Sequence, residues 1–120
     1  MLSGGMRERA ALLRTYLCKK ELLLLDEPFS KLDALTRLKM QLWFLKTLQK
    51  QKKAVLFVTH DIDEAIFLSD RIYILSLRPA KIIAEIHVPI KKPRSADFLT
   101  SSKFVTLKKQ IMKKLTSVQQ

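Results

Sequence analysis

Two short apolar runs in this chain break off into residues able to move protons or hold a cation. Leu22-Leu23-Leu24-Leu25 ends in Asp26-Glu27 before Pro28, and Ala54-Val55-Leu56-Phe57-Val58-Thr59 ends in His60-Asp61. Adjacent carboxylates can divide their labour. One ligates a hard cation such as Mg2+ through oxygen, while its neighbour, pointing the other way off a strand end, orients or deprotonates a water. A plainer use is equally open, an exposed Asp-Glu pair that caps the segment after it. His60 reads as either a satisfied structural histidine or a group that titrates near neutrality beside the acids. Ser3-Gly4-Gly5 is the third candidate: Ser3 is a natural N-cap, and bare N–H groups at a helix's positive end accept phosphate or another anion, though an ordinary helix start has the same spelling.

Elements must bring these groups to useful places. Leu22 to Pro28 suits a strand of a parallel sheet covered on both faces, with its acids at the carboxyl end where open α/β sheets bind ligands. Residues 54–59, rich in branched and aromatic side chains, form a second buried strand. Before them, Met6 to Leu17 has helical spacing of Ala10, Leu13 and Leu17. Between the strands, Asp33 caps a helix whose Leu35, Leu38, Leu42, Leu45 and Leu48 make one stripe, widened by Trp43 and Phe44 and ending near Gln51. Asp61 followed by Glu64 has the form of a capping box and starts a helix through Ala65, Ile66 and Leu68. Residues 71–77 and 81–88 flank Arg78-Pro79-Ala80 as a hairpin, on which His87 is surface decoration. Pro89 to Arg94 reads as a linker, and Ser102 to about Leu115 as an amphipathic helix with Phe104, Leu107, Ile111 and Leu115 on one face.

Composition limits the class. With 48% hydrophobic and 28% charged residues in 120, the chain has the makings of a globular core. A net charge of +12 raises the question of a nucleic-acid or anionic-membrane partner. The lysines are spread along helix faces and thicken after Lys91 without an aromatic pattern for base stacking, so solvated helix surface is the expectation and no nucleic acid is expected. The single Cys18 excludes an internal disulfide framework and fits a reducing compartment. No signal peptide or membrane-spanning run is present, and the expected location is cytoplasmic, with any membrane association peripheral.

Taken together, the motifs resemble those of ATP-binding cassette ATPases. Leu2-Ser3-Gly4-Gly5-Met6, Leu22 to Pro28, Ser30-Lys31-Leu32-Asp33 and Val58-Thr59-His60-Asp61 look like, in order, the signature, Walker B, D-loop and switch-histidine motifs. Met6-Arg7-Glu8-Arg9, Asp33 to Arg37, Arg78 to Ile82 and the Pro93-Arg94 tail are similar to the nitrate, sulfonate and taurine importer branch. The resemblance implies an α/β fold: a partial P-loop NTPase core of parallel strands and flanking helices over residues 1–90, then a basic linker and amphipathic helix over 91–120. It implies ATP and Mg2+ as cofactors. Asp26 would hold Mg2+ through water, Glu27 would be the general base, and His60 would contact the γ-phosphate and help position the water. Ser3, Gly4 and Gly5 would serve the nucleotide of a partner cassette, and Asp33 would link the two sites across the dimer. The implied partners are a second ATPase cassette and membrane permease subunits, at the cytoplasmic side of the membrane.

Departures from the pattern carry weight as well. Met6 stands where Gln is commoner, and Ser30-Lys31 replaces the small Gly-Ala pair before Leu32-Asp33, placing a long cation near the implied dimer seam. The chain's only glycines are Gly4 and Gly5, so no Gly-x-x-x-x-Gly-Lys-Ser/Thr loop is available to cradle phosphates. The expectation is therefore the C-terminal half of a cassette, with the phosphate-loop half supplied from outside, leaving unpaired strand edges and uncovered apolar faces. Three functions follow. The leading one is the ATPase subunit, or a part of it, that drives a small-solute importer; the second is a non-enzymatic remnant or complementing half; the third is a DNA-repair or chromosome-organising ATPase of the same superfamily.

Overall fold

A computed structural model describes residues 22–50, 54–77, 80–91 and 94–118. The Ser3-Gly4-Gly5 turn, the helix expected over Met6 to Leu17 and Cys18 lie outside the described residues. The chain divides into two compact units, residues 1–60 and 61–120, and each is built on its own logic.

In the first unit the leucine run forms strand β1 (Leu22–Asp26) and the branched run forms β2 (Ala54–Val58). They pair in parallel, Leu22 opposite Ala54 through to Asp26 opposite Val58. Parallel neighbours need a crossover, and helix α1 (Ala34–Gln49) supplies it. Asp33 caps that helix as its sequence predicts: its carboxylate accepts from the Thr36 amide at 2.9 Å and the Thr36 hydroxyl at 3.1 Å. The turn after β1 is pinned by Phe29, fully buried, whose ring meets Phe44 edge-on at 5.8 Å.

Two expectations need correction here. The leucine stripe of α1 is only part of its buried face: Leu45 of the stripe and Phe44 beside it are buried together with Met40 and Gln41, Leu38, Leu42 and Leu48 are half-buried, and Leu35 is 64% exposed. Apolar residues occur on more than one side of α1, and the Phe29–Phe44 contact selects the side turned inward. The leucine run by itself suits a sheet covered on both faces; the sheet instead has an open face, in line with the uncovered apolar surface also expected above. Leu23 and Leu25 are buried, but Leu24 is 67% exposed, and Leu56 and Val58 are each 50% exposed. The register places Leu24 beside Leu56, and Asp26 beside Val58, so these side chains share one open face.

The second unit begins with helix α2 (Ile62–Leu68), capped by Asp61, which accepts from the Glu64 amide at 3.2 Å. Ile66 and Phe67 are fully buried. Strands β3 (Arg71–Leu77) and β4 (Ala80–His87) then form the expected antiparallel hairpin, with a register shift beyond Ile74 that leaves Ile83 without a partner across the ladder. Ile72, Ile74 and Ile86 point inward, and His87 is exposed with Nε2 3.3 Å from Glu85. A short 3-10 turn (Ala96–Thr100), not anticipated from sequence, precedes helix α3 (Ser102–Val118). Phe104, Leu107 and Ile111 bury the predicted stripe, Phe98 packs edge-on against Phe104 at 5.4 Å, and Lys108 pairs with Asp63 at 2.9 Å. No helix among the described residues is long and apolar enough to cross a membrane.

Candidate functional site

Parallel pairing of β1 with β2 sets their carboxyl ends side by side, so the polar residues that follow each strand become neighbours. Glu27 extends the ladder by one bond, its amide donating to the Val58 carbonyl at 2.8 Å. Its backbone then enters the left-handed region with φ of 45°, unusual for a residue with a Cβ. Beyond Thr59, the ring of His60 meets Glu27 through an Nδ1 to Oε1 contact across 33 residues of sequence. A carboxylate and an imidazole are thus joined at the end of a parallel sheet, where open α/β folds collect ligands. The contact fixes which ring nitrogen faces the acid.

Both members remain reachable from solvent, with His60 exposed and Glu27 partly so. Such a pair can take a proton from water or orient a water, the carboxylate as base and the imidazole as its positioned neighbour. Asp26 is the last residue of β1 and is also exposed. Among the described residues no three His, Cys, Asp or Glu side chains cluster as a metal cage. A lone exposed carboxylate does fit a hard cation such as Mg2+ that keeps most of its shell as water and phosphate oxygens.

Asp33 is occupied differently. Hydrogen bonds from the Thr36 amide, and then from its hydroxyl, hold the Asp33 carboxyl below its ordinary value of 3.8, with the Arg37 charge acting in the same sense. It is therefore an ionised cap, and its surface exposure leaves it accessible as well. The structure accordingly brings Glu27 and His60 together, keeps Asp26 next to Glu27 in the chain, and commits Asp33 to α1. Ser3, Gly4 and Gly5 cannot be placed, since they lie outside the described residues.

One residue escaped sequence reasoning. Arg94 reads as the end of a linker, yet it is only 4% exposed, and its guanidinium donates to backbone carbonyls of Ile66, Phe67 and Ser69 at 2.8–3.1 Å. Nothing in its spacing signals this, because the acceptors belong to main chain 25–28 positions earlier.

Residues 1–30 match the family model described as ABC transporter. The chain is 45% identical over 111 residues to an uncharacterized ABC transporter ATP-binding protein of Methanocaldococcus jannaschii, covering 92% of this chain and 40% of that protein. It is 47% identical to an aliphatic sulfonates import ATP-binding protein of Burkholderia lata, covering 78% of this chain and 34% of the other. With a formylaminopyrimidine import ATP-binding protein of Halalkalibacterium halodurans the identity is 51%, over 73% of this chain and 35% of the relative. The chain therefore spans well under half the length of these curated relatives. A solved ABC transporter assigned to the metal-chelate type, in an inward-facing conformation, superimposes with a TM-score of 0.58 at 25% identity, covering 82% of this chain and 38% of that one.

Proposed function

The chain belongs to the ABC transporter family of ATP-binding proteins, and from that premise we propose that it carries the water-activating part of an importer's ATPase. The observation that supports this reading most is the contact between Glu27 and His60 at the carboxyl ends of paired parallel strands. In this reading Glu27 is the general base for the attacking water. His60 orients that water and meets the γ-phosphate, its ring held in place by Glu27. Asp26 holds Mg2+ through water, and the bound ion supplies charge neutralisation at the phosphates. Residues 1–90 form the C-terminal part of the ATPase domain and 91–120 its basic linker and terminal helix.

The remaining roles concern assembly. Ser3, Gly4 and Gly5 serve the nucleotide bound by a second cassette, presenting backbone N–H groups to its phosphates, while Asp33 joins the two sites across the dimer. The dimer docks on permease subunits at the cytoplasmic face of the membrane and drives uptake of a small solute. Sulfonates and a formylated pyrimidine are the solutes in the relatives' names, and nitrate and taurine belong to the same proposed range.

A second reading, a non-enzymatic or complementing half-cassette, is favoured by one feature of the sequence. With glycine at two positions alone, this chain has no Gly-x-x-x-x-Gly-Lys-Ser/Thr loop of its own. Co-expression with a chain that contributes such a loop, followed by an ATPase assay, separates the readings. Glu27→Gln is expected to lower turnover by about 10²–10⁴-fold, the usual contribution of a general base. Undiminished turnover in that variant would sink the assignment of Glu27, and no turnover in the wild-type pair would favour the second reading.

A further inference from the structure

We propose that the outer side of helix α3 binds an anionic lipid surface, so that this chain touches the bilayer directly and not through permease subunits alone. This contact is independent of the Glu27–His60 site. Helix α3 has 17 residues, of which five are lysines and none is an acid. From Lys91 to Gln120 the chain holds eight Lys or Arg and a single acid, Asp97.

The inward side of the helix is already committed. Phe104, Leu107 and Ile111 are buried, Phe98 meets Phe104 edge-on, and Lys108 pairs with Asp63. Those contacts do not account for Val105 and Met112, which are 44% and 48% exposed. A single exposed apolar residue is ordinary surface. Two of them seven positions apart fall on one line along a helix, and this line lies one position round from the buried stripe, since Val105 follows Phe104 and Met112 follows Ile111. Lys109 stands between the pair, four positions after Val105 and three before Met112, and Lys113 follows it four positions on. Both lysines are exposed.

A partner for this side must accept ammonium groups and apolar tips together. An anionic bilayer offers both, phosphates at the surface and acyl chains just beneath them. Lysine stems lie along apolar surface while their charged ends rise to the phosphates, and Val105 and Met112 reach below. The net charge of +12 adds attraction to the same surface, and salt screens it. Nucleic acid offers phosphates without hydrocarbon, and its bases need exposed rings to stack on; Phe104, the one aromatic residue of α3, is buried. A groove on another protein takes apolar anchors at successive turns, and here Lys108 and Lys109 occupy the turn between Val105 and Met112.

The test is flotation of the full 120-residue chain with lipid vesicles, which leaves protein aggregates behind. Binding is expected to vesicles of phosphatidylcholine mixed with phosphatidylglycerol, and not to phosphatidylcholine alone, and to weaken as salt is raised. Lys109→Glu with Lys113→Glu is expected to weaken it by about tenfold or more, and Val105→Ser with Met112→Ser by about fivefold. Lys39→Glu with Lys46→Glu, at exposed positions of α1, changes the net charge equally and is expected to have the smaller effect. A loss as large as that of the Lys109 and Lys113 pair would mean attraction by total charge, and would overturn the proposal. Undiminished flotation of the Val105 and Met112 variant would overturn it too, and tight binding of duplex DNA by that variant would give the face to nucleic acid instead. If Lys109→Glu with Lys113→Glu loses its helical circular dichroism, Lys109→Gln with Lys113→Gln decides. Wild-type chain that fails to float with anionic vesicles would end the proposal outright.

Discussion

Glu27 holds a left-handed backbone, φ 45°, which costs a residue with a side chain on the order of 1 kcal/mol. The turn is held by the ladder bond to Val58 on one side and the buried Phe29 on the other, so the strain is borne by the sheet and the small core around it. A strained acid facing an imidazole is an arrangement that the spelling Asp26-Glu27-Pro28 does not disclose. Asp33 shows the opposite case, a residue whose local role is legible because its partner lies three positions on. Its folded pKa is depressed, so the stabilisation it gives is present above the unfolded value near 3.8 and is lost as pH falls through the lower folded value. Asp33→Asn keeps a capping oxygen without the charge. In urea titrations, the wild-type advantage over Asp33→Asn is expected to be full above about pH 5 and to vanish below the depressed pKa of Asp33; an advantage that persists in strong acid would contradict the assignment.

At the scale of elements, short-range chemistry fixes the starts of helices better than the faces they bury. Asp33 and Asp61 both cap where their spacing to Thr36 and Glu64 predicts. Asp61→Ala is expected to cost about 1 kcal/mol of unfolding free energy in a urea titration, the usual loss for a cap. A change indistinguishable from zero would mean that α2 is held at its other end alone. Helix α3 also followed its pattern: Phe104, Leu107 and Ile111 of its predicted stripe are buried, while Val105 and Met112 lie exposed off it among the lysines. Helix α1 followed it only in part: with Leu, Met, Trp and Phe on several sides, the rule of periodicity offers more than one answer, and tertiary contact with Phe29 kept Phe44 and Leu45 of the expected face and added Met40 and Gln41.

For the whole molecule, the open face of the β1–β2 sheet is the feature with the broadest consequences. Leu24, Leu56 and Val58 present apolar surface beside two strands, an arrangement prone to association. Leu56→Lys is expected to change unfolding free energy by no more than about 0.5 kcal/mol while reducing self-association seen by sedimentation; unchanged sedimentation would show that this face is not the adhesive one. Nucleotide binding belongs to the same scale. Lacking a phosphate loop among its 120 residues, the isolated chain is expected to show no thermal stabilisation by Mg-ATP, and a clear rise in melting temperature would overturn that. The net charge of +12 acts here as a solubilising field that opposes this association, and it weakens as salt is added.

The amino-acid sequence by itself determined what neighbours along the chain can decide: strand runs ending in polar pairs, two aspartate caps, a hairpin and the stripe of the last helix. These features rest on contacts a few residues apart, so composition and spacing contain them. Tertiary structure alone decided that His60 faces Glu27 across 33 residues, that Glu27 turns left-handed to meet it, which side of α1 is buried, and that Arg94 is a buried clamp. Each of these depends on which distant segment arrives next to the residue, and a main-chain carbonyl waiting for a guanidinium has no spelling of its own.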